Sequence, residues 1–206
     1  MYTGNGCHRP PPSRRHRPAG GDRLPSSRSS VPTSGRSVDI TRLILDDHDE
    51  QRKMFAILDE IPRDDTAKLG AVWNRLQILL EVHAEAEEHH FYPHLLTVGR
   101  GAMGESVDEE SKDAIKDHNE IRDAIRKAVK QQVGTDDWWT AVLEARQQNS
   151  DHMAEEERED LPDFRRHAPL ELRHRLGVEF AAYEASHAGG VPIKDDNPQQ
   201  YVAEHS

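Results

Sequence analysis

Residues 83–95 read HAEAEEHHFYPHL and hold four histidines and three glutamates, with no turn-forming residue before Pro93. Imidazole and carboxylate groups at this density can ligate a cation, which an ordinary solvated helix does not require. His83 and Glu87 are four residues apart, so on a helix they lie one turn apart on the same face. The pair can therefore direct a nitrogen and an oxygen at one point.

The same pattern occurs twice along the chain. Residues 83–93 and residues 152–162 (HMAEEEREDLP) both fit H-x-x-x-E-E-x-x-x-x-P. Residues 47–52 (DHDEQR) and 117–122 (DHNEIR) form a second related pair. The chain therefore contains an internal repeat.

The spacing of the repeated histidines supports a structural duplication. His48 precedes His83 by 35 residues, and His118 precedes His152 by 34. All four histidines fall on apolar stripes with helical period. The repeat predicts a duplicated helix hairpin, and hence an all-α, up-and-down four-helix bundle.

Such a bundle would aim six polar groups at its interior. Burial of carboxylates without partners costs several kcal/mol each, on the order of 1–7 for a polar group, and bound cations remove that cost. Two cations suit the set best, because each carboxylate can bridge them. Imidazole and carboxylate without thiolate favour iron or manganese over zinc and copper. The candidate ligands are His48, His83, Glu87, His118, His152 and Glu156.

The order H, H-x-x-x-E, H, H-x-x-x-E on four successive helices resembles the haemerythrin-like HHE cation-binding domain, over residues 38–165. The resemblance implies two Fe ions in a non-haem centre with an oxo or hydroxo bridge. By this resemblance the four histidines are ligands and the two glutamates are bridging carboxylates.

Another histidine, His90, shares the face of the candidate ligands. It lies seven residues after His83 and three after Glu87. We consider it either an extra ligand or a group that orients a ligand.

Two features depart from the oxygen-carrying members of the family, which have an additional histidine one turn from the third-helix ligand. Here the positions four residues from His118 are Ala114 and Arg122. Arg122 either supplies positive charge to a bound peroxide or is solvated. With His90 and Glu157 it is a candidate for an extra ligand or for a residue that supports the ligands. The carriers' fourth-helix carboxylate corresponds to Glu157, whereas Glu156 preserves the symmetry of the repeat and is preferred. Reversible oxygen carriage is therefore not expected.

Breaker residues predict where the helices end. The first helix stops before Pro62, and the second runs into Pro93 or a turn beyond. The third ends at Gly134 and the fourth closes near Pro162. A fifth helical segment stops at Gly189.

These elements divide the chain into four parts. Residues 1–36 contain six of the twelve prolines and seven arginines, and we expect a disordered basic tail. Residues 38–165 form the bundle, 169–188 an additional C-terminal helix, and 189–206 an extended tail.

Net charge and cysteine content narrow the range of expected binding partners and cellular compartments. Residues 1–36 carry seven Arg and one Asp, a charge of +6, which leaves 20 basic and 37 acidic residues, −17, in the rest. An acidic body repels nucleic acid and anionic membranes, so neither is an expected partner. Cys7 is the only cysteine and the N-terminus lacks an apolar leader, so we expect a cytoplasmic protein.

Three functions fit the constellation. The first is breakdown of a small oxidant, with hydrogen peroxide preferred over dioxygen or nitric oxide. The second is a module that senses or stores iron, oxygen or nitric oxide without turnover. A ferritin-like carboxylate protein is the third and weakest, because it needs E-x-x-H on two helices, whereas Glu171–His174 and Glu184–His187 share one segment. The protein partner and the catalytic residues are left open.

Overall fold

The computed structural model describes residues 38–206, so the predicted basic tail lies outside the described residues. Within this range the chain is helical and has no strand. The helices are α1 (Ile40–Glu60), α2 (Thr66–His90), α3 (Tyr92–Val98), α4 (Val107–Val129), α5 (Asp136–Arg158), α6 (Asp160–His167), α7 (Leu170–Ser186) and α8 (Pro198–His205). The predicted all-α bundle is confirmed. Over the same residues, no helix combines the length and apolar character needed to cross a membrane.

The four long helices form two antiparallel hairpins. Short links, residues 61–65 and 130–135, join α1 to α2 and α4 to α5. Contacts of α2 with α4 and of α1 with α5 close the bundle. The short α3 and the loop 99–106 connect the hairpins, so the bundle follows the duplication in the sequence.

Each long helix begins at a residue whose side chain accepts a hydrogen bond from a backbone N–H of the first turn. These residues are Asp39, Asp65, Ser106 and Thr135. The turn before α5 requires glycine, since Gly134 has φ +86° and a Cβ there would lie 2.9 Å from the Arg63 carbonyl oxygen.

The apolar core consists of two clusters with a polar layer between them. On α1, His48 lies between Ile44 of one cluster and Met54 of the other. The predicted ligands on α2, α4 and α5 likewise fall between the two clusters. Well-packed apolar layers above and below therefore fix the helices that carry the polar groups.

Two helix ends in the structure differ from those predicted from the positions of the prolines. The predicted end of the second helix at Pro93 is replaced by a break at Phe91, after which α3 starts with Pro93 in its first turn. The α6 helix similarly carries Pro162 just after α5 ends at Arg158. Proline is compatible with a first helical turn, because the N–H it lacks would have no intrahelical partner there.

The C-terminal segment is only partly extended, which corrects the expectation for residues 189–206. Residues 198–205 form α8, with Asn197 as its N-cap. Tyr201 and Val202 are buried as α8 packs on α3 and α4. The predicted C-terminal helix corresponds to α7, which packs on α1 and α2.

Candidate metal centre

The six predicted ligands meet in the polar layer of the bundle, and all are buried. His48 comes from α1, His83 and Glu87 from α2, His118 from α4, and His152 and Glu156 from α5. The four-residue spacing brings the α2 and α5 pairs onto one face of their helices.

Glu87 stands between two pairs of histidines. Its Oε1 lies 2.9 Å from His83 Nε2 and 4.0 Å from His48 Nε2. Its Oε2 lies 3.3 Å from His118 Nε2 and 3.9 Å from His152 Nε2. Within each trio of Glu87 and two histidines, the candidate ligand atoms all lie within 4.8 Å of one another. Each trio could hold a metal ion, and Glu87 is common to both trios.

Glu156 and Glu157 lie on opposite sides of His48. Glu156 Oε2 is 3.1 Å from His48 Nε2, and its Oε1 accepts a hydrogen bond of 3.2 Å from the Tyr92 hydroxyl. Glu157 Oε1 instead lies 2.8 Å from His48 Nδ1, the nitrogen that points away from the centre. Glu156 therefore belongs to the inner set of side chains, and Glu157 holds a ligand from behind.

Several polar atoms of the centre are buried without a hydrogen-bond partner. They are His48 Nε2, His83 Nε2, both carboxylate oxygens of Glu87 and Glu156 Oε2. Some of these atoms are close to one another but are not aligned for a hydrogen bond. Buried polar groups in folded proteins are nearly always satisfied. Bound cations would satisfy this converging set of nitrogen and oxygen donors, so the residues present fit a metal centre.

A carboxylate lies behind each of the four histidines, at the Nδ1 atom. The pairs are His48 with Glu157 (2.8 Å), His83 with Asp47 (3.1 Å), His118 with Glu88 (2.8 Å) and His152 with Asp117 (3.8 Å). Such partners fix the tautomer and orientation of a ligating imidazole. The first three distances allow a hydrogen bond, and the fourth does not.

Sequence reasoning missed three of these carboxylates, Asp47, Glu88 and Asp117. The duplication contains a signal for them, because an aspartate directly precedes both His48 and His118, and a second glutamate directly follows each H-x-x-x-E motif. Tyr92 was also missed, and the repeat could not identify it, since the equivalent position is Leu161.

Two arginines extend these contacts outward. Arg52 Nη2 lies 2.7 Å from Glu157 Oε1, and Arg122 Nη2 lies 3.0 Å from Glu88 Oε2. Arg122 is not solvated, since its side chain is 1% exposed. Its guanidinium binds Glu88, the carboxylate behind His118, so Arg122 lies in the layer of residues that surrounds the candidate ligands. Burial of the guanidinium is possible because Glu81 also faces it, at 3.5 Å.

Protons bound by the histidines compensate the negative charge of the buried carboxylates in the centre. Burial alone would lower the pKa of His118, but the nearby carboxylate of Glu87 and the hydrogen bond with Glu88 raise it to about 9. Burial alone would raise the pKa of Glu87, but the charge of His83 and the close approach of the other histidines lower it well below its usual value. Glu87 therefore remains an anion, and a bound cation would displace protons from the histidines.

The structure does not bring His90 to the centre. Its ring is half-buried and lies 5.5 Å from the ring of Tyr183. Burial lowers the pKa of His90, as expected for an imidazole beside an aromatic side chain.

The comparisons agree with this site. The family described as Hemerythrin HHE cation binding domain matches residues 39–164, which include all six candidate ligands. The chain belongs to this family. Comparison with curated proteins and with solved structures found no match.

Proposed function

We propose that the chain is a non-haem di-iron protein that breaks down hydrogen peroxide. The position of Glu87 carries the proposal, because each of its two oxygens faces a different pair of histidines. A single cation would use one side of this arrangement and leave the other histidine pair buried without a metal. The His48–His83–Glu87 and Glu87–His118–His152 trios would each hold one iron ion.

The chain belongs to a family described as cation-binding, and the types of its candidate ligand atoms favour iron. Each position combines imidazole nitrogens and a carboxylate oxygen, with no thiolate, which suits iron and manganese. Bound iron ions would act as Lewis acids and exchange electrons with a small oxidant.

Room for a small molecule supports reaction rather than structural metal binding. Each trio supplies three donors, fewer than the coordination number of iron, and no further histidine of α4 is available because Ala114 and Arg122 flank His118. A cavity of about 190 Å³ reaches His152 and Glu156. Its volume is large enough to admit hydrogen peroxide.

The overall reaction balances without another reactant. One hydrogen peroxide is oxidised to dioxygen and releases two protons and two electrons, which reduce a second hydrogen peroxide to two waters. The protein's own groups hold the centre in place during this exchange. Tyr92 fixes one oxygen of Glu156, and the carboxylates behind the histidines keep their Nε2 atoms inward.

Metal content and oxygen evolution test the proposal together. The full chain, expressed in iron-replete medium, should contain about two iron atoms and release dioxygen from peroxide. Glu87→Gln should lose most of the iron and the activity. Glu85→Gln, two residues away on α2, is the matched control, since its carboxylate meets Tyr183 outside the centre.

Two results would contradict the proposal in different ways. A chain without iron would reject the centre itself. A chain with full iron but no oxygen evolution would reject peroxide breakdown and favour the alternative, a module that senses or stores iron, dioxygen or nitric oxide.

A further inference from the structure

The cavity that reaches the centre is strongly acidic. It lies between the N-terminal half of α4 and the C-terminal end of α5, and His152 and Glu156 are part of its wall. Seven other acidic side chains line it: Glu105, Glu110, Asp113, Asp117, Glu155, Glu159 and Asp160. The one basic residue of the wall, Arg158, is bound to Glu159 at 2.8 Å.

Exposure changes along this wall. Asp113 and Glu155 are exposed and therefore mark the opening, whereas Glu110 and Asp160 are buried. A concave, low-dielectric surface lined by one sign of charge concentrates ions of the opposite sign. The wall thus leads a positive ion from solvent towards the ligands.

Glu110 is a residue of this wall whose carboxylate can bind a cation. The residue is 6% exposed, and its Oε1 accepts a hydrogen bond of 2.5 Å from the backbone N–H of Ala102. Its Oε2 is buried without a partner. An unpartnered carboxylate oxygen at this depth is a ligand for a passing cation.

Neighbouring carboxylates also repel one another in the cavity. Burial, followed by the negative charge of Glu156 and Glu110, raises the pKa of Asp160 well above its usual value. A divalent cation would relieve this repulsion, whereas an anion would increase it.

From the unpartnered oxygen of Glu110 and the predominantly acidic wall, we propose that this cavity is the passage through which ferrous iron enters the centre. Glu110 provides a transient binding position on the way. This inference rests on the proposed function, because it takes iron as the cation that His152 and Glu156 receive.

The two larger described cavities lack such a connection. The one beside α8 and the one between α2 and α7 are not lined by any of the six ligands. Of these three cavities, the acidic one is the one whose wall includes candidate ligands.

Uptake kinetics of Fe²⁺ by the metal-free full chain, without oxygen, provide the test. Samples are quenched with a ferrous chelator, and protein-bound iron is measured against time at low ionic strength. Asp113→Asn/Glu155→Gln should slow uptake by about tenfold, the lower end of the range for electrostatic steering, with unchanged final iron content. High salt should remove most of the difference, because the Debye length falls to about 3 Å at 1 M.

The matched control is Glu60→Gln/Asp64→Asn, which removes the same charge from exposed positions at the opposite end of the bundle. Its uptake rate should stay near that of the unchanged chain. Glu110→Gln tests the transient position and should also slow uptake while retaining the final iron content.

The outcomes separate the two proposals. Equal slowing in both double variants would show a general effect of net charge and overturn the passage. Unchanged rates in Asp113→Asn/Glu155→Gln and Glu110→Gln would overturn it as well, with the iron centre intact. An unchanged chain that takes up no iron would overturn the proposed function itself.

Discussion

Removal of Arg122 should destabilise the protein far more than removal of Arg52, although the two occupy equivalent positions in the repeat. Each follows the first histidine of its hairpin by four residues, and each binds the carboxylate behind that histidine. The side chain of Arg52 is 43% exposed, whereas that of Arg122 is 1% exposed. Variants of the two arginines therefore compare the same arginine–carboxylate contact in an exposed and in a buried environment of one protein.

The size of the difference follows from burial. Breaking a buried ion pair costs about 3–5 kcal/mol, because the remaining charge is left without a partner. Arg122→Met retains most of the apolar side-chain volume but leaves both Glu88 and Glu81 in the interior. Burial already raises the pKa of Glu81 to about 7, so Glu81 can take up a proton and reduce the loss. We therefore expect a loss near the lower end, about 3 kcal/mol.

For Arg52→Met the expected loss is below about 1 kcal/mol, as for other solvent-exposed pairs. In a domain of this size each kcal/mol corresponds to about 2–4 °C in melting temperature. Arg122→Met should therefore melt about 6–12 °C lower than the unchanged chain, and Arg52→Met within about 4 °C of it.

Urea unfolding of the metal-free chains, followed by helical circular dichroism and by tryptophan fluorescence, measures both losses. If the two signals change at the same urea concentrations, unfolding can be treated as a transition between two states. The loss in Arg52→Met should shrink in high salt, while that in Arg122→Met should persist, since buried charges are screened little.

The double variant Arg122→Met/Glu88→Gln tests the cause of the loss. Removing the charge left behind should recover part of the stability lost in Arg122→Met. Equal losses in the two single variants would refute the burial argument. A double variant no more stable than Arg122→Met would show that lost packing, not charge, determines the cost.

Three further outcomes follow from the centre. Glu88→Gln should weaken iron binding about 10–100-fold in a chelator competition, as for other partners of ligating histidines. Asp117→Asn should weaken it less, because Asp117 lies 3.8 Å from the Nδ1 atom of His152. Equal losses of iron affinity in the two variants would contradict this order. Tyr92→Phe should lower the free energy of unfolding by about 1 kcal/mol in urea and leave the iron content intact, since only one hydrogen bond to Glu156 is lost; loss of iron would make the hydroxyl essential to the centre. Removal of iron by a chelator should lower the melting temperature in calorimetry, because the buried oxygens of Glu87 lose their partner; an unchanged melting curve would contradict this.

The long helices and the inner ligands could be predicted because they depend on local spacing. An apolar residue every three or four positions defines a helix face, and a ligand on that face must point inward. His48 and His83 satisfy this rule without any knowledge of the partner helices. The short α8 could not be predicted this way, because a helix of its length is stabilised mainly by the packing of Tyr201 and Val202.

The contacts behind the ligands depend on pairing between helices. Glu157 meets His48 across 109 residues of sequence, and Glu88 meets His118 across 30. No periodicity specifies which two faces meet. The position of Arg122 illustrates the same limit, since its place on the inner part of α4 depends on Glu81 and Glu88 of a neighbouring helix.

The duplication supplies equal ligands to the two halves but unequal surroundings. Each hairpin contributes two histidines, yet the arginine behind one half is exposed and the other buried. One repeat has a tyrosine, Tyr92, where the other has Leu161, and the Tyr92 hydroxyl binds Glu156. The acidic cavity also opens on the side of His152 and Glu156. Hydrogen bonds, charge and solvent access all tune a bound metal. If both proposed cation positions are filled, we therefore expect them to differ in affinity and in reactivity, with the proposed small oxidant approaching from the His152 side.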